Sequence, residues 1–214
     1  MKKLLVILAV LALASAASAE VLVSYTFTGS VPTPAAIGTA IQTASSFGVS
    51  PQTGFSYLST GGAPNPPGVG TATWNAGTPT AYWSFSLSCM TGYTFANSPD
   101  ALTFGFAYRA STTGPLSWQL DADTGAGFST VANGALTASG SWLSISGQDV
   151  SEIAGASSAS FRLYGYGAPS ASGTWTVDTI TLNGTTTNAV PEPATMSLLG
   201  LGALAMVLRR KMKK

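Results

Sequence analysis

Apolar and polar residues alternate with a period of two along much of this chain. In one such segment, Trp83, Phe85 and Leu87 fall on one face, while Tyr82 and three serines fall on the other. Side chains of a β-strand point alternately to its two faces, so this pattern predicts a strand buried on one side. Alternation recurs in six further segments, at residues 21–27, 102–108, 116–120, 142–146, 160–165 and 174–182.

Strands this short, separated by Gly-rich turns and without a convincing amphipathic helix, predict an all-β exported domain over residues 20–182. Its segment 29–80 is rich in Pro, Gly, Ser and Thr, which predicts a long loop with short strands around 55–58 and 70–75. Asn133-Gly134 predicts a type I′ hairpin turn, because both central positions of that turn need positive φ. The pattern as a whole predicts an antiparallel β-sandwich of two sheets.

The last predicted strand changes phase along its length. Trp175 and Val177 share one face, whereas Ile180 and Leu182 fall on the other. Either both faces of this strand are covered, or a β-bulge near Asp178-Thr179 shifts the later residues. We expect a central strand with a partner on each side.

The N-terminus has the three parts of a secretory signal peptide. A basic start at Lys2 and Lys3 precedes an apolar run at 4–14 and the small-residue sequence Ala17-Ser18-Ala19. We expect residues 1–19 to form a helical signal peptide that signal peptidase removes between Ala19 and Glu20.

An apolar run near the C-terminus predicts a membrane segment. Residues 194–208 are 15 uncharged residues, fewer than the roughly 20 that span a bilayer comfortably. We expect a short transmembrane helix, accommodated by snorkelling flanks or local thinning of the bilayer. The basic residues after it should stay in the cytoplasm and leave the preceding domain outside. They are Arg209, Arg210, Lys211, Lys213 and Lys214.

Before the apolar run lies a short motif of Val190, Pro191, Glu192 and Pro193, which follows a Thr-rich segment at 183–189 that predicts a flexible linker. This motif, the apolar run and the basic end resemble, in that order, the PEP-CTERM sorting signal of Gram-negative-type bacteria. The resemblance implies that exosortase, an integral membrane transpeptidase-like enzyme, recognises and processes residues 190–214. It also implies an inner-membrane-anchored precursor that is then released to the cell surface or extracellular matrix. The alternative is an ordinary C-terminal membrane anchor.

Charge is concentrated in the two terminal segments. They hold seven of the nine basic residues, so residues 20–189 carry two basic and seven acidic side chains, a net charge of about −5. This composition excludes a nucleic-acid binder built on a basic surface, and it argues against binding acidic polysaccharides through overall charge. Cys89 is the only cysteine and lies in an apolar segment, so burial is favoured over pairing between chains.

Catalytic chemistry has little support in this sequence. The chain contains no His, which removes the Ser-His-Asp triad and the commonest metal ligand. Asp121 and Asp123 are the only close carboxylate pair, and the glycine-rich residues after them predict a polar hairpin loop rather than a cation site or a glycosidase centre. We therefore predict that the domain is not an enzyme and needs no cofactor.

A second resemblance covers residues 102–184 and is carried by the segments 106–109, 114–120, 161–167 and 174–178. They look like the jelly-roll β-sandwich domains of PEP-CTERM surface proteins, which are similar in architecture to carbohydrate-binding modules. The closing strand of those proteins often reads Trp-x-Ile-Asp-Asn-Val, and Thr179 here replaces the Asn. In carbohydrate-binding jelly rolls an Asp near this point can hold a structural calcium, which makes Asp178 a weak candidate ligand.

Aromatic residues offer the one argument for ligand binding, because sugar rings stack on exposed aromatic faces. Tyr164 and Tyr166 share the polar face of a strand, about 7 Å apart, and are the candidate glycan contacts. Packing of this pair against neighbouring strands or over the sheet edge is the favoured alternative. Arg109 and Arg162 face away from their apolar neighbours, and surface ion pairing is favoured over a ligand clamp. Two hypotheses follow: a non-enzymatic protein of the cell surface or exopolysaccharide matrix, or a carbohydrate-binding module of that matrix.

Overall fold

The computed structural model describes residues 19–27, 33–50, 77, 79–96, 102–170, 173–188 and 202. These residues form thirteen β-strands and a 3-10 helix at Ser151–Ile153. The strands are β1 (Glu20–Tyr25), β2 (Pro34–Ile37), β3 (Ile41–Ala44), β4 (Gly48–Ser50), β5 (Tyr82–Cys89), β6 (Tyr93–Phe95), β7 (Thr103–Ala110), β8 (Ser117–Asp123), β9 (Ser129–Ala135), β10 (Ser139–Asp149), β11 (Ser158–Tyr166), β12 (Trp175–Gly184) and β13 (Thr186–Asn188).

Two antiparallel sheets form the sandwich that the alternation predicts. One sheet has the strand order β10-β7-β12-β1-β2, and the other has the order β3-β5-β11-β8-β9 with β4 also paired to β5. A separate two-stranded sheet joins β13 to β6. The all-β fold class is therefore confirmed. The predicted helices at 1–19 and 194–208 lie almost entirely outside the described residues, within which no helix is long and apolar enough to cross a bilayer.

Aromatic side chains dominate the core between the two sheets. Burial alternates residue by residue along β5, so that Trp83, Phe85 and Leu87 face inwards as predicted. Trp83 and Trp175 meet edge to face with ring centroids 4.4 Å apart, and Phe85 stacks on Phe161 at 4.8 Å. Each such side chain contributes about 1.5–3 kcal/mol by leaving water.

Cys89 ends β5 and is buried, as the apolar segment around it predicts. Burial raises the pKa of its thiol, because desolvation disfavours the thiolate. The side chain therefore acts as a small apolar group of the core.

The predicted turn at Asn133-Gly134 is wrong. Both residues lie inside β9 and pair with Gln119 and Trp118 of β8. A Cβ built on Gly134 would stand 2.8 Å from Nε1 of Trp118, so glycine is needed here for the close approach of the indole ring.

The β8–β9 connection is instead the loop at 124–128. Gly125 and Gly127 adopt positive φ there, and Oδ1 of Asp123 accepts their N–H groups at 2.7 and 2.9 Å. Asp121 accepts hydrogen bonds from Nε2 of Gln119 and Oγ1 of Thr130. The hairpin-loop interpretation of this carboxylate pair is confirmed for Asp123. Asp121 instead links β8 to β9 through its hydrogen bond from Thr130.

Strand β12 has both of the features that its sequence left open. It lies between β7 and β1, and its register with β7 shifts between Asp178 and Thr181. The bulge returns Ile180 to the core side, so both halves of the strand contribute buried residues. Oδ1 of Asp178 stabilises the bulge by accepting the N–H groups of Thr179 at 2.8 Å and Phe27 at 3.1 Å.

Thr179 is strained at this bulge, because its φ of 46° lies in the left-handed region that β-branched residues disfavour. Asn tolerates that region, so Thr179→Asn is expected to raise the free energy of unfolding by about 0.5–1 kcal/mol. Urea denaturation measures the difference. The control is Thr43→Asn on the exposed face of β3, where the backbone is extended and no gain is expected. A loss of stability in Thr179→Asn would contradict the strain argument.

The segments 29–80 and 183–189 contain more strand than predicted. Three short strands, β2 to β4, lie within 34–50 as additions to the edges of β1 and β5. The strands predicted at 55–58 and 70–75 fall outside the described residues. The expected flexible linker is paired almost to its end, because β12 runs to Gly184 and β13 hydrogen-bonds along β6.

Candidate functional site

Both ends of the exported domain lie at one end of the sandwich. Glu20, the predicted first residue after signal cleavage, begins β1 and pairs with Gly184 at the end of β12. A pocket of about 380 Å³ lies beside them, and Tyr93 and Thr186 contribute to its lining. We call this the tail end of the domain, since β13 leads from it towards the C-terminus. Of the predicted sorting residues, 190–193 and 209–214 lie outside the described part, as does Ala17, while Ala19 is exposed.

The predicted glycan contacts are not an open pair of rings. Tyr164 is only 7% exposed, and Tyr82 packs against it edge to face at 5.2 Å. Burial raises the pKa of Tyr164, partly offset by a hydrogen bond from Arg162. Tyr164 therefore packs against a neighbouring strand, the alternative that the sequence favoured, and its contact with a glycan stays a prediction. Tyr166 is half-buried, and its contact with a glycan stays a prediction.

Arg162 is held between aromatic rings on the same outer face. Its guanidinium lies 3.7 Å from the ring centroid of Phe128 and 4.5 Å from that of Tyr82. Asp121 is its cross-strand neighbour. Enclosure by two rings gives a cation–π clamp that joins β5, β11 and the 124–128 loop, a structural role rather than a free ligand clamp.

Asp178 is engaged by the backbone at the bulge. Its Oδ1 accepts hydrogen bonds from two backbone N–H groups. Among the described residues, there is no group of three His, Cys, Asp or Glu side chains that could hold a metal ion. A calcium-binding role for Asp178 stays a prediction.

A more open arrangement lies on the outer face of the other sheet. Trp142 of β10 is 40% exposed, and the Arg109 guanidinium of β7 lies 5.3 Å from its ring centroid. Thr176 of β12 is the cross-strand neighbour of Arg109, so three adjacent strands contribute one side chain each. Among the described residues, the contact found for the Arg109 guanidinium is this exposed indole, and the predicted surface ion pair stays a prediction.

Arg109 and Thr176 of this group line a pocket of about 390 Å³ at the end of the sandwich opposite the tail end. Most side chains that line it are short, and several carry a hydroxyl group. The lining residues are Arg109, Ala110, Ser111, Thr112, Ala138, Ser139, Gly140, Thr174 and Thr176. Among these described lining residues none carries a carboxylate, and Arg109 supplies the only charge.

Backbone hydrogen bonds fix one wall of this pocket. The N–H of Ser111 donates to the carbonyl of Thr174, and the N–H of Thr174 donates back to Oγ of Ser111, both at 2.9 Å. Gly114 packs so closely that an added Cβ would stand 2.5 Å from the Thr174 carbonyl oxygen. The wall is thus set before any ligand arrives, which lowers the entropic cost of binding.

Sequence analysis missed the Trp142 surface. Leu143 and Ile145 are half-buried, and their alternation with polar residues indicates that Trp142 faces outwards. The sequence does not show that β10 pairs with β7. The register of this pair shifts between Ser139 and Leu143, and the shift brings Trp142 next to Arg109.

Comparison with protein families finds the PEP-CTERM protein-sorting motif over residues 189–211. This match confirms the resemblance drawn from the prolines, the apolar run and the basic end. Comparison of the sequence with curated proteins gives no match.

Several solved structures are similar to this chain at low identity. A family 29 carbohydrate-binding module is 12% identical with a TM-score of 0.38, covering 78% of this chain and 90% of the module. The K3 cleaved adhesin domain of Lys-gingipain from Porphyromonas gingivalis is 12% identical with a TM-score of 0.40, covering 78% and 99%. TmCBM61, solved with β-1,4-galactotriose, is 12% identical with a TM-score of 0.35, covering 65% and 88%. Similarity at this level does not indicate what this chain binds.

Proposed function

We propose that this chain, which carries a PEP-CTERM protein-sorting motif at residues 189–211, is a non-enzymatic protein of the cell surface or exopolysaccharide matrix. The motif carries the proposal, because it marks an exported protein that exosortase sorts to the surface. In this proposal signal peptidase removes residues 1–19, and the apolar run at 194–208 holds the precursor in the inner membrane until exosortase processes it.

The position of the chain ends supports this route. Glu20 and Gly184 are paired neighbours, so the N-terminal signal and the C-terminal signal both leave from the tail end of the sandwich. A folded domain attached by that end keeps its opposite end directed away from the membrane.

Mass spectrometry of the protein recovered from the surface of its native host tests the sorting proposal. We expect a mature species that starts at Glu20 and lacks the basic residues 209–214. Recovery of surface protein with an intact C-terminus at Lys214 would overturn processing and leave an ordinary membrane anchor. An N-terminus at Met1 would overturn signal cleavage separately.

A second candidate function is that of a carbohydrate-binding module in the same matrix. The observation that favours it is the exposed Trp142 in contact with Arg109, which itself lines a hydroxyl-rich pocket. An indole face offers a stacking surface for a sugar ring, and the hydroxyl groups offer hydrogen-bond partners for its substituents.

A further inference from the structure

We propose that the pocket beside Arg109 and Trp142 binds a sugar residue that carries a carboxylate, such as a uronic acid within an extracellular polysaccharide. The inference deepens the carbohydrate-binding candidate above and rests on it. Its new content is the position of the site and the charge of the ligand.

The charge of the pocket is opposite to that of the domain. Residues 20–189 carry a net charge of about −5, yet the described lining of this pocket has one cation and no carboxylate. Asp178 is the next outward-facing position along β12 from Thr176, and its Oδ1 is occupied by two backbone N–H groups. Charges farther away are largely screened, since the Debye length is about 8 Å at physiological ionic strength. The only charge in the described lining that a ligand meets is therefore the positive charge of Arg109.

Arg109 differs from the other arginine of the domain in its surroundings. Arg162 is enclosed by two rings at 3.7 and 4.5 Å, whereas Arg109 has one ring at 5.3 Å and borders open volume. A guanidinium has five N–H donors in a planar fork that matches the two oxygens of a carboxylate. Donors of Arg109 that face the pocket can therefore bind a planar anion.

Trp142 and the hydroxyl groups favour a sugar as the carrier of that anion. The pocket volume of about 390 Å³ lies in the range typical of small-ligand sites, roughly 300–1,000 Å³. Trp142 contacts Arg109 of the lining and can cover the apolar face of a pyranose ring. The exposed residues Thr112 and Thr174 line the volume with hydroxyl groups that can donate and accept hydrogen bonds.

The position of the pocket fits a polysaccharide ligand. Thr176 and Gly184 lie eight residues apart on β12, about 26 Å along the strand. The pocket therefore stands at the end of the sandwich away from both predicted membrane segments. A long chain molecule can reach it there without meeting the bilayer.

Calorimetric titration of the full-length protein in detergent micelles tests the proposal with two matched probes. One is a uronic acid hexasaccharide, and the other is the same hexasaccharide with its carboxylates reduced to hydroxymethyl groups. We expect the acidic probe to bind at least about tenfold more tightly, since a hydrogen bond between two charged groups is stronger than one between neutral groups. Raising the salt concentration should reduce the difference in affinity between the two probes.

Three variants locate the site. Arg109→Gln should remove the preference for the acidic probe. Trp142→Ala should lower the affinity for both probes about equally, by roughly tenfold. Arg162→Gln is the matched control on the other sheet and should keep the preference. Denaturation midpoints of the variants establish that they are folded before binding is compared.

Equal binding of the two probes by the unaltered protein would overturn the charge inference and leave general glycan binding in place. Loss of the preference in Arg162→Gln but not in Arg109→Gln would overturn the position of the site. Absence of binding to either probe up to about 1 mM would overturn the inference and the carbohydrate-binding candidate together. None of these results bears on the sorting proposal, whose readout is the two processed chain ends.

Discussion

Replacing Trp175 by alanine is expected to lower the free energy of unfolding of the exported domain by about 3–5 kcal/mol. Trp175 is 0% exposed, and its ring meets Trp83 at 4.4 Å and Phe106 at 6.3 Å. Alanine would leave a cavity between the two sheets that the surrounding aromatic rings are too rigid to fill. Single domains are stable by only about 5–15 kcal/mol, so this one change removes a large share. Chemical denaturation followed by tryptophan fluorescence measures it.

Trp142→Ala is the matched control, because it removes the same side chain from a position 40% exposed on the outer face. We expect the free energy of unfolding to fall by only about 0.5–1.5 kcal/mol, because the ring is partly exposed and contacts Arg109. Equal losses in the two variants would contradict the assignment of Trp175 to the core and of Trp142 to the surface.

Replacing Pro191, Glu192 and Pro193 together by alanine is expected to abolish C-terminal processing. Two prolines exclude a regular helix at this point, and the glutamate places a charge before the apolar run. Alanine has the highest helix propensity, so the variant would extend the predicted membrane helix upstream through the processing signal. The precursor should then accumulate in the membrane fraction with Lys214 intact, as detected by mass spectrometry.

Two controls define this result. The three-alanine variant keeps the apolar run and the basic residues, so membrane insertion itself should be unchanged. Replacing Thr185, Thr186 and Thr187 by serine changes three neighbouring residues outside the motif and should leave processing intact. Normal processing of the three-alanine variant would sink the proposed role of the motif.

The sequence predicts the core because burial on one face is written directly into the alternation of residue types. Trp83, Trp118 and Trp175 each stand on the apolar side of a segment, and all three are buried. The buried residues of β12 could also be predicted, once a bulge was allowed to shift the phase of a central strand. Sorting signals are equally local, since their residues follow one another along the chain.

Features that depend on strand pairing could not be derived in this way. Gly134 follows an Asn, the usual sign of a tight turn, yet it serves as the space into which the Trp118 ring fits from the neighbouring strand. Tyr164 faces outwards as its parity requires, but Tyr82 covers it from β5. Arg109 and Trp142 are 33 positions apart and meet only through a shifted register.

The pairing of β13 with β6 also bears on the proposed membrane anchor, because it limits the distance between the folded domain and the apolar run. Asn188 is the last paired residue, opposite Tyr93, and the apolar run begins at residue 194. Six steps along the chain separate these points, about 20 Å at full extension. This distance is shorter than the roughly 26 Å that separates Thr176 from Gly184 along β12. In the proposed membrane-anchored precursor, the domain would therefore lie close to the bilayer, and an enzyme that acts on the tail would have to reach it between the domain and the membrane surface.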